Sequence, residues 1–236
     1  MGMIRNYFIL NGKSSTDFNC YIAKSRAFDG AEPDVESIEI PGRNGELTYS
    51  NNRFKPFTDE IEAYIPRNMQ ETIDGLRAWL SNNKSFVRYE EVLHPDEFRL
   101  ARFSGAFEVS ESDHKGAALT LPFTFQPQRF LKSGDNVNAL TSAGSLFNPT
   151  YYDAKPLIRA YGTGSFTVNN ITVTITAANE YTDIDCEIMD AYKGSVNCNG
   201  NIVTTDNKFP TLVSGQNSIS MTGISRLEIT PRWWTV

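Results

Sequence analysis

Histidine is almost missing from this chain. Of 236 residues only His94 and His114 are histidines, and both lie in segments that read as surface turns. A histidine-based triad or a zinc centre therefore has little to build from. Cysteine is scarce too: Cys20, Cys186 and Cys198 are an odd set without C-x-x-C spacing. That argues against a disulfide framework or a zinc site and for reduced core thiols. No apolar run approaches the ~20 residues of a membrane helix. The opening M-G-M-I-R-N-Y-F-I-L-N-G has too short an apolar stretch and no cleavage site for a signal peptide. Gly2 is followed by Asn6 where myristoylation wants Ser or Thr.

Clustered positive charge is lacking as well. The formal net charge is −6, shared evenly between residues 1–133 and 134–236. Phosphate contacts need grouped Lys and Arg, so no specific nucleic-acid partner is expected. There is no G-x-S-x-G elbow and no Walker A sequence. Asn11-Gly12-Lys13-Ser14 imitates the end of a Walker A, but Tyr7 stands where its first glycine belongs, and Gly162-Thr163-Gly164 lacks the third glycine of a dinucleotide fingerprint. The chain reads as a non-enzyme made in a cytosol, with no cofactor, no metal and no membrane partner.

Aromatic residues are plentiful instead. Fifteen Phe and ten Tyr favour strands over helices. The most informative segment is Ser37–Thr48, S-I-E-I-P-G-R-N-G-E-L-T, where strand-like alternation runs into Pro41-Gly42 and Asn44-Gly45. Proline fixes φ, and Gly and Asn accept φ > 0, so the chain reverses tightly there. Arg43, between the two glycines, is displayed on a stiff mount, as a contact device would be.

Around that turn, residues 4–65 alternate short strands and turns. The period then changes. Met69, Ile73, Leu76 and Leu80 form one helical stripe, which predicts a helix over about 68–82. Asn68 is placed as its N-cap with Glu71 three residues on, and Asn82-Asn83 as its stop. Strands resume at Phe86–Glu90 and Phe98–Phe103, then a hairpin from Gly105–Ser110 through a polar turn to Ala117–Phe125. In that last strand Ala117, Leu119, Leu121, Phe123 and Phe125 share one face. Residues 132–150, rich in Ser, Gly and Asn, read as a connection between a domain at 1–133 and another at 134–236. After it come only short strands with turn signals, among them Val196–Cys198 and Ile202–Thr204 around Asn199-Gly200. That is the pattern of a β-sandwich or jelly roll.

Asp183-Ile184-Asp185-Cys186-Glu187, followed by Asp190, puts three carboxylates at alternate positions, as a glycosidase pair or a Ca²⁺ site would. The plainer expectation is a half-buried strand with Ile184, Cys186 and Ile188 inward and the acids in water. Trp233 and Trp234, in Thr230-Pro231-Arg232-Trp233-Trp234, serve equally well as core or as interface, and a sugar-stacking platform is a further possibility.

Four segments taken in order resemble one known family: I-P-G-R-N-G-E-L at 40–47, F-R-L-A-R-F at 98–103, P-F-T-F-Q-P-Q-R-F-L-K-S-G at 122–134 and I-T-P-R-W-W at 229–234. Pro149 with Lys155-Pro156-Leu157-Ile158-Arg159-Ala160-Tyr161-Gly162 adds a fifth. Together they resemble the distal tail protein of siphophages, the long, non-contractile-tailed phages, infecting Gram-positive bacteria. The resemblance implies a mainly β subunit, with an N-terminal β-rich domain carrying one α-helix and a C-terminal galectin-like β-sandwich. It implies a homo-hexameric ring at the virion tail tip, assembled in the bacterial cytoplasm. The ring would join the major tail (tube) protein to a tail-fibre or tail-lysin hub and anchor receptor-binding proteins, while DNA passes through its channel. Arg43, Asn44 and Arg129 are the expected inter-subunit contacts. Larger relatives carry an inserted carbohydrate-binding module for which residues 150–236 leave no room, so an adaptor is expected; the alternative is a carbohydrate-binding module for cell-wall glycan.

Overall fold

The computed structural model describes residues 5–23, 30–67, 70–110 and 116–236. They form two compact units, one running to Arg129 and including Val236, the other Phe130–Thr235.

The strands of the first unit are β1 (Phe8–Leu10), β2 (Lys13–Ser14), β3 (Tyr21–Ile22), β4 (Pro33–Glu39), β5 (Glu46–Phe54), β6 (Phe57–Ile65), β7 (Val87–Glu91), β8 (Glu97–Phe103), β9 (Glu108–Ser110) and β10 (Ala117–Leu131), which runs on past the boundary. A single α-helix among the described residues, α1 (Gln70–Asn82), follows β6. The main sheet has the order β2-β1-β7-β8-β10-β6-β3, with β9 also on β10. The Ile22 N–H donates to the Asn6 carbonyl at 2.9 Å, so the β3 edge returns to the chain just before β1 and the sheet curls towards closure.

Alternation fixes which face of β10 is inward. Ala117, Leu119, Leu121, Phe123 and Phe125 are all buried, as the period of two requires. The helix lays Ile73, Leu76 and Leu80 on the same core. Met69 and Asn68, the expected start of its stripe and its cap, lie outside the described residues. Its end is capped as the asparagines suggested: the Asn83 side chain donates to the Trp79 carbonyl at 2.9 Å. The centre of the core is aromatic, with the Phe8 ring 5.6 Å from Tyr89 and 5.7 Å from Phe123. Arg99, from F-R-L-A-R-F, faces inward. It is buried with its guanidinium 5.2 Å from the Phe57 ring centre.

The second unit holds β11 (Asn138–Leu140), β12 (Gly144–Asn148), β13 (Leu157–Tyr161), β14 (Gly164–Val168), β15 (Ile171–Ile175), β16 (Tyr181–Asp185), β17 (Asp190–Lys193), β18 (Val196–Asn197), β19 (Ile202–Thr204), β20 (Gly215–Thr222), β21 (Arg226–Thr230) and β22 (Trp234–Thr235). Two antiparallel sheets, β11-β21-β13-β16-β17-β18 and β12-β20-β14-β15-β19, share one core. Ile158, Ile184, Leu227 and Ile229 come from the first, and Phe166, Val168, Val173, Ile175 and Ile219 from the second.

One local expectation changes here. Residues 132–150 are not merely a connection, because β11 and β12 in that stretch are edge strands of the two sheets. Each edge strand turns a single leucine, Leu140 or Leu146, onto the core, which explains the low apolar content. The strands flanking Asn199-Gly200 do not pair with each other. β18 pairs with β17 and β19 with β15, so the short 3₁₀ turn Asn199–Asn201 carries the chain from one sheet to the other.

Replacing Phe123 with Ala should destabilise the first unit by about 3–5 kcal/mol, since a fully buried aromatic leaves a cavity. Replacing the exposed Tyr49 should change stability by no more than about 0.5 kcal/mol. Urea unfolding of both variants checks the contrast.

Candidate assembly interface

β4 and β5 form a sheet of their own and pair with no other strand among the described residues. The register places Glu36 opposite Tyr49, Ser37 opposite Thr48, Ile38 opposite Leu47 and Glu39 opposite Glu46. Because side chains alternate, Ile38, Leu47, Glu36 and Tyr49 share one face and Ser37, Thr48, Glu39 and Glu46 the other. Ile38, Leu47 and Tyr49 are 48%, 46% and 60% exposed, so the apolar face is open to water. At the root, Arg53 Nε donates to Asp34 Oδ2 at 2.7 Å, and Lys55 pairs with Glu32 at 3.1 Å. The Arg53 hydrogen bond and charge hold the Asp34 carboxyl below the usual carboxylate range.

The tip is built as its residues require. Gly42 and Gly45 have φ of +82° and +83°, which L side chains avoid. The Arg43 N–H donates to the Ile40 carbonyl at 3.1 Å, closing the turn. Arg43 and Asn44 are exposed, and neither side chain has a partner among the described residues. Arg43 borders a shallow hollow together with Glu39, Pro41 and Glu46. Glu39 and Glu46 sit directly opposite each other, a like-charge pair that weakens the end of the ribbon when it stands alone. Arg129 is placed differently: its guanidinium pairs with Glu97 at 3.2 Å and donates to the Val236 carbonyl oxygen at 2.8 Å, both within the first unit.

In the second unit the acidic strand departs from expectation. Asp183 and Asp185 are buried, whereas Ile188 is 61% exposed. Arginine makes this possible. Arg159 on β13 grips Asp183 through Nε–Oδ1 at 2.7 Å and Nη2–Oδ2 at 3.0 Å. Arg232 grips Asp185 at 2.7 and 2.9 Å. Such two-pronged pairs compensate the loss of water around buried carboxylates. The acids are committed to these clamps, and no group of three His, Cys, Asp or Glu among the described residues is arranged to hold a metal ion. Both clamps were missed in the sequence; the available signals were two arginines, one in the strand that pairs with β16 and one beside the tryptophans.

The tryptophans separate. Trp233 is buried in the core, with its carbonyl accepting from the Leu131 N–H at 2.9 Å. Gly134 lies so close that an added Cβ would come within 2.3 Å of Trp233 N. Trp234 is half-exposed and stacks on Tyr152 at 4.5 Å, while its Nε1–H donates to the Asp153 carbonyl at 3.0 Å. Cys20 and Cys186 are buried, and burial pushes both thiols up to about 12, so they are inert at neutral pH. Among the described residues no helix is long and apolar enough to cross a membrane.

No protein-family model and no curated protein matches this sequence. A solved structure does match. The crystal structure of the Dit protein of phage SPP1, described as a paradigm of the hub adsorption apparatus in phages infecting Gram-positive bacteria, superposes with a TM-score of 0.77. The match covers 98% of this chain and 99% of that one, at 13% identity. This chain has the Dit fold. At so low an identity the likeness rests on strand order and packing, so the Dit fold is carried here by different side chains.

Burial raises the Asp185 carboxyl, but the hydrogen bonds and charge of Arg232, with the backbone N–H groups of Glu187 and Ile188, outweigh it and leave the group below its ordinary value. The clamp's contribution is therefore complete above the ordinary Asp value of about 4 and is lost as pH falls through the lower folded value. Asp185→Asn should destabilise the second unit at pH 7 by about 3 kcal/mol, because it leaves Arg232 without its carboxylate. The wild-type advantage over that variant should shrink at low pH; unfolding at pH 7 and pH 2.5 measures both effects.

Proposed function

We propose that this chain is a structural hub subunit of a phage tail tip, acting by assembly and performing no catalysis. The observation that carries this reading is the end-to-end correspondence with the Dit hub protein. Copies of the chain close head-to-tail into a hexameric ring, which demands two different complementary patches on each subunit. The β4–β5 ribbon is well suited to be one of them. A two-stranded ribbon is marginal in water, and this one leaves its outer edges and apolar face uncovered. A neighbouring copy that covers Ile38, Leu47 and Tyr49 supplies the missing third layer. Arg43 and Asn44 at the tip then bond to a carboxylate or carbonyl of that neighbour, where the planar guanidinium gives directional contacts.

In this reading the ring joins the major tail tube protein to the tail-fibre or tail-lysin hub and anchors receptor-binding proteins, in the virion tail tip. It is assembled in the host cytoplasm. The net charge of −6 suits a channel through which DNA slides without sticking. A second reading, recognition of cell-wall glycan, draws on Tyr151, which is 93% exposed beside the Tyr152–Trp234 stack. Binding of the full chain to purified cell wall, abolished by Tyr151→Ala, would support that alternative.

Mass measurement in solution with negative-stain imaging tests the hub proposal, and sixfold rings are the expected result. Arg43→Ala should weaken each subunit contact by about 1.5–3 kcal/mol, the worth of a charged hydrogen bond, while the melting temperature of the dissociated subunit stays unchanged. Rings as stable as the wild type would remove Arg43 from the interface.

A further inference from the structure

The chain contains three Asn-Gly steps, at Asn11, Asn44 and Asn199. Glycine has no Cβ to hinder approach of its nitrogen to the preceding side chain, so each step is chemically able to cyclise. The fold treats the three differently. Asn199 is clamped at both ends of its amide: Nδ2 donates to Asp190 Oδ1 at 2.5 Å and Oδ1 accepts from the Ala191 N–H at 2.7 Å. Asn11 occupies the two-residue turn between β1 and β2 in the left-handed region, with φ 51° followed by Gly12 at φ +78°. That region has ψ near about +47°, which turns the glycine nitrogen away from the asparagine side chain. The Asn11 N–H is also bonded to the Arg88 carbonyl at 2.8 Å. Asn44 has neither restraint. It is exposed, it is not in the left-handed region, and its amide has no partner among the described residues.

We infer that Asn44 is a site of spontaneous deamidation, the one of the three steps that the fold leaves reactive. The Gly45 nitrogen attacks Asn44 Cγ, forming an N–C bond while the side-chain nitrogen leaves as ammonia. Water then opens the cyclic imide at either carbonyl, giving aspartate in the normal backbone or an isoaspartyl link. Either product adds a carboxylate to a tip that already holds Glu39 opposite Glu46. The isoaspartyl form also lengthens the main chain by one carbon within the turn that Gly42 and Gly45 shape. The consequence for assembly rests on the ring reading: deamidated subunits carry a more negative, reshaped tip and are poor ring formers, whereas tips already docked are shielded from the reaction.

The test incubates the full-length protein at pH 8 and follows each Asn-Gly peptide by mass spectrometry over time. Asn44 should convert at least about tenfold faster than Asn11 or Asn199, with ammonia released in step and with Asn44→Gln abolishing that release. Conversion of Asn44 no faster than the other two would overturn the inference. Parallel incubations of assembled rings and of subunits kept apart by dilution separate the two claims. Fast conversion in separated subunits and slow conversion in rings supports both the site and its burial on assembly. Equally fast conversion in both states keeps the site but removes the tip from the ring contact.

Discussion

A β-ribbon of two strands has two faces and two edges, and it can satisfy neither face with its own side chains. Among the described residues β4 and β5 hydrogen-bond to each other and to no other strand, while Ile38, Leu47 and Tyr49 line one face in water. The rest of the first unit is complete without them: its aromatic centre, the α1 stripe and the inward face of β10 close on themselves. Among the described residues of that unit, most of the exposed large hydrophobics lie on the ribbon, and the proposed role in assembly rests on that deficit more than on any single residue. Its root is fixed by Arg53–Asp34 and Lys55–Glu32, so it presents a defined surface and not a loose tail.

The second unit meets the opposite problem. It buries two carboxylates on one strand, and does so by aiming a guanidinium at each. Arg159 comes from the adjacent strand β13, and Arg232 from a residue held at φ 59° just before Trp233. The Gly134–Trp233 contact and the Leu131–Trp233 hydrogen bond then tie the start of this unit to its end. P-R-W-W and K-S-G, which looked like separate signatures in the sequence, are the two halves of one packed junction. Fold likeness at 13% identity is intelligible on these terms, because strand pairing and burial can persist while the side chains change.

Much of this was legible beforehand because it rests on short-range rules. The helix at 70–82 followed from the spacing of Ile73, Leu76 and Leu80, the inward face of β10 from strict alternation, and the tip from Pro41-Gly42 and Asn44-Gly45. Other readings failed where a partner far away in the chain decides the outcome. The acids of β16 were expected in water because nothing within the segment reveals Arg159 and Arg232. β18 and β19 flank a turn, yet each pairs in a different sheet, which nothing local to the turn reveals.

The amino-acid order alone thus determined the strand-rich class, the single described α-helix and the tight reversal around Arg43, since each depends on neighbours within a few residues. Only the tertiary structure decided which charges are buried, that Trp233 is core while Trp234 stacks on Tyr152, and that β4 and β5 form a separate two-stranded sheet. Those outcomes depend on contacts between segments tens of residues apart, where burial and electrostatic compensation are settled by three-dimensional proximity and leave no local trace.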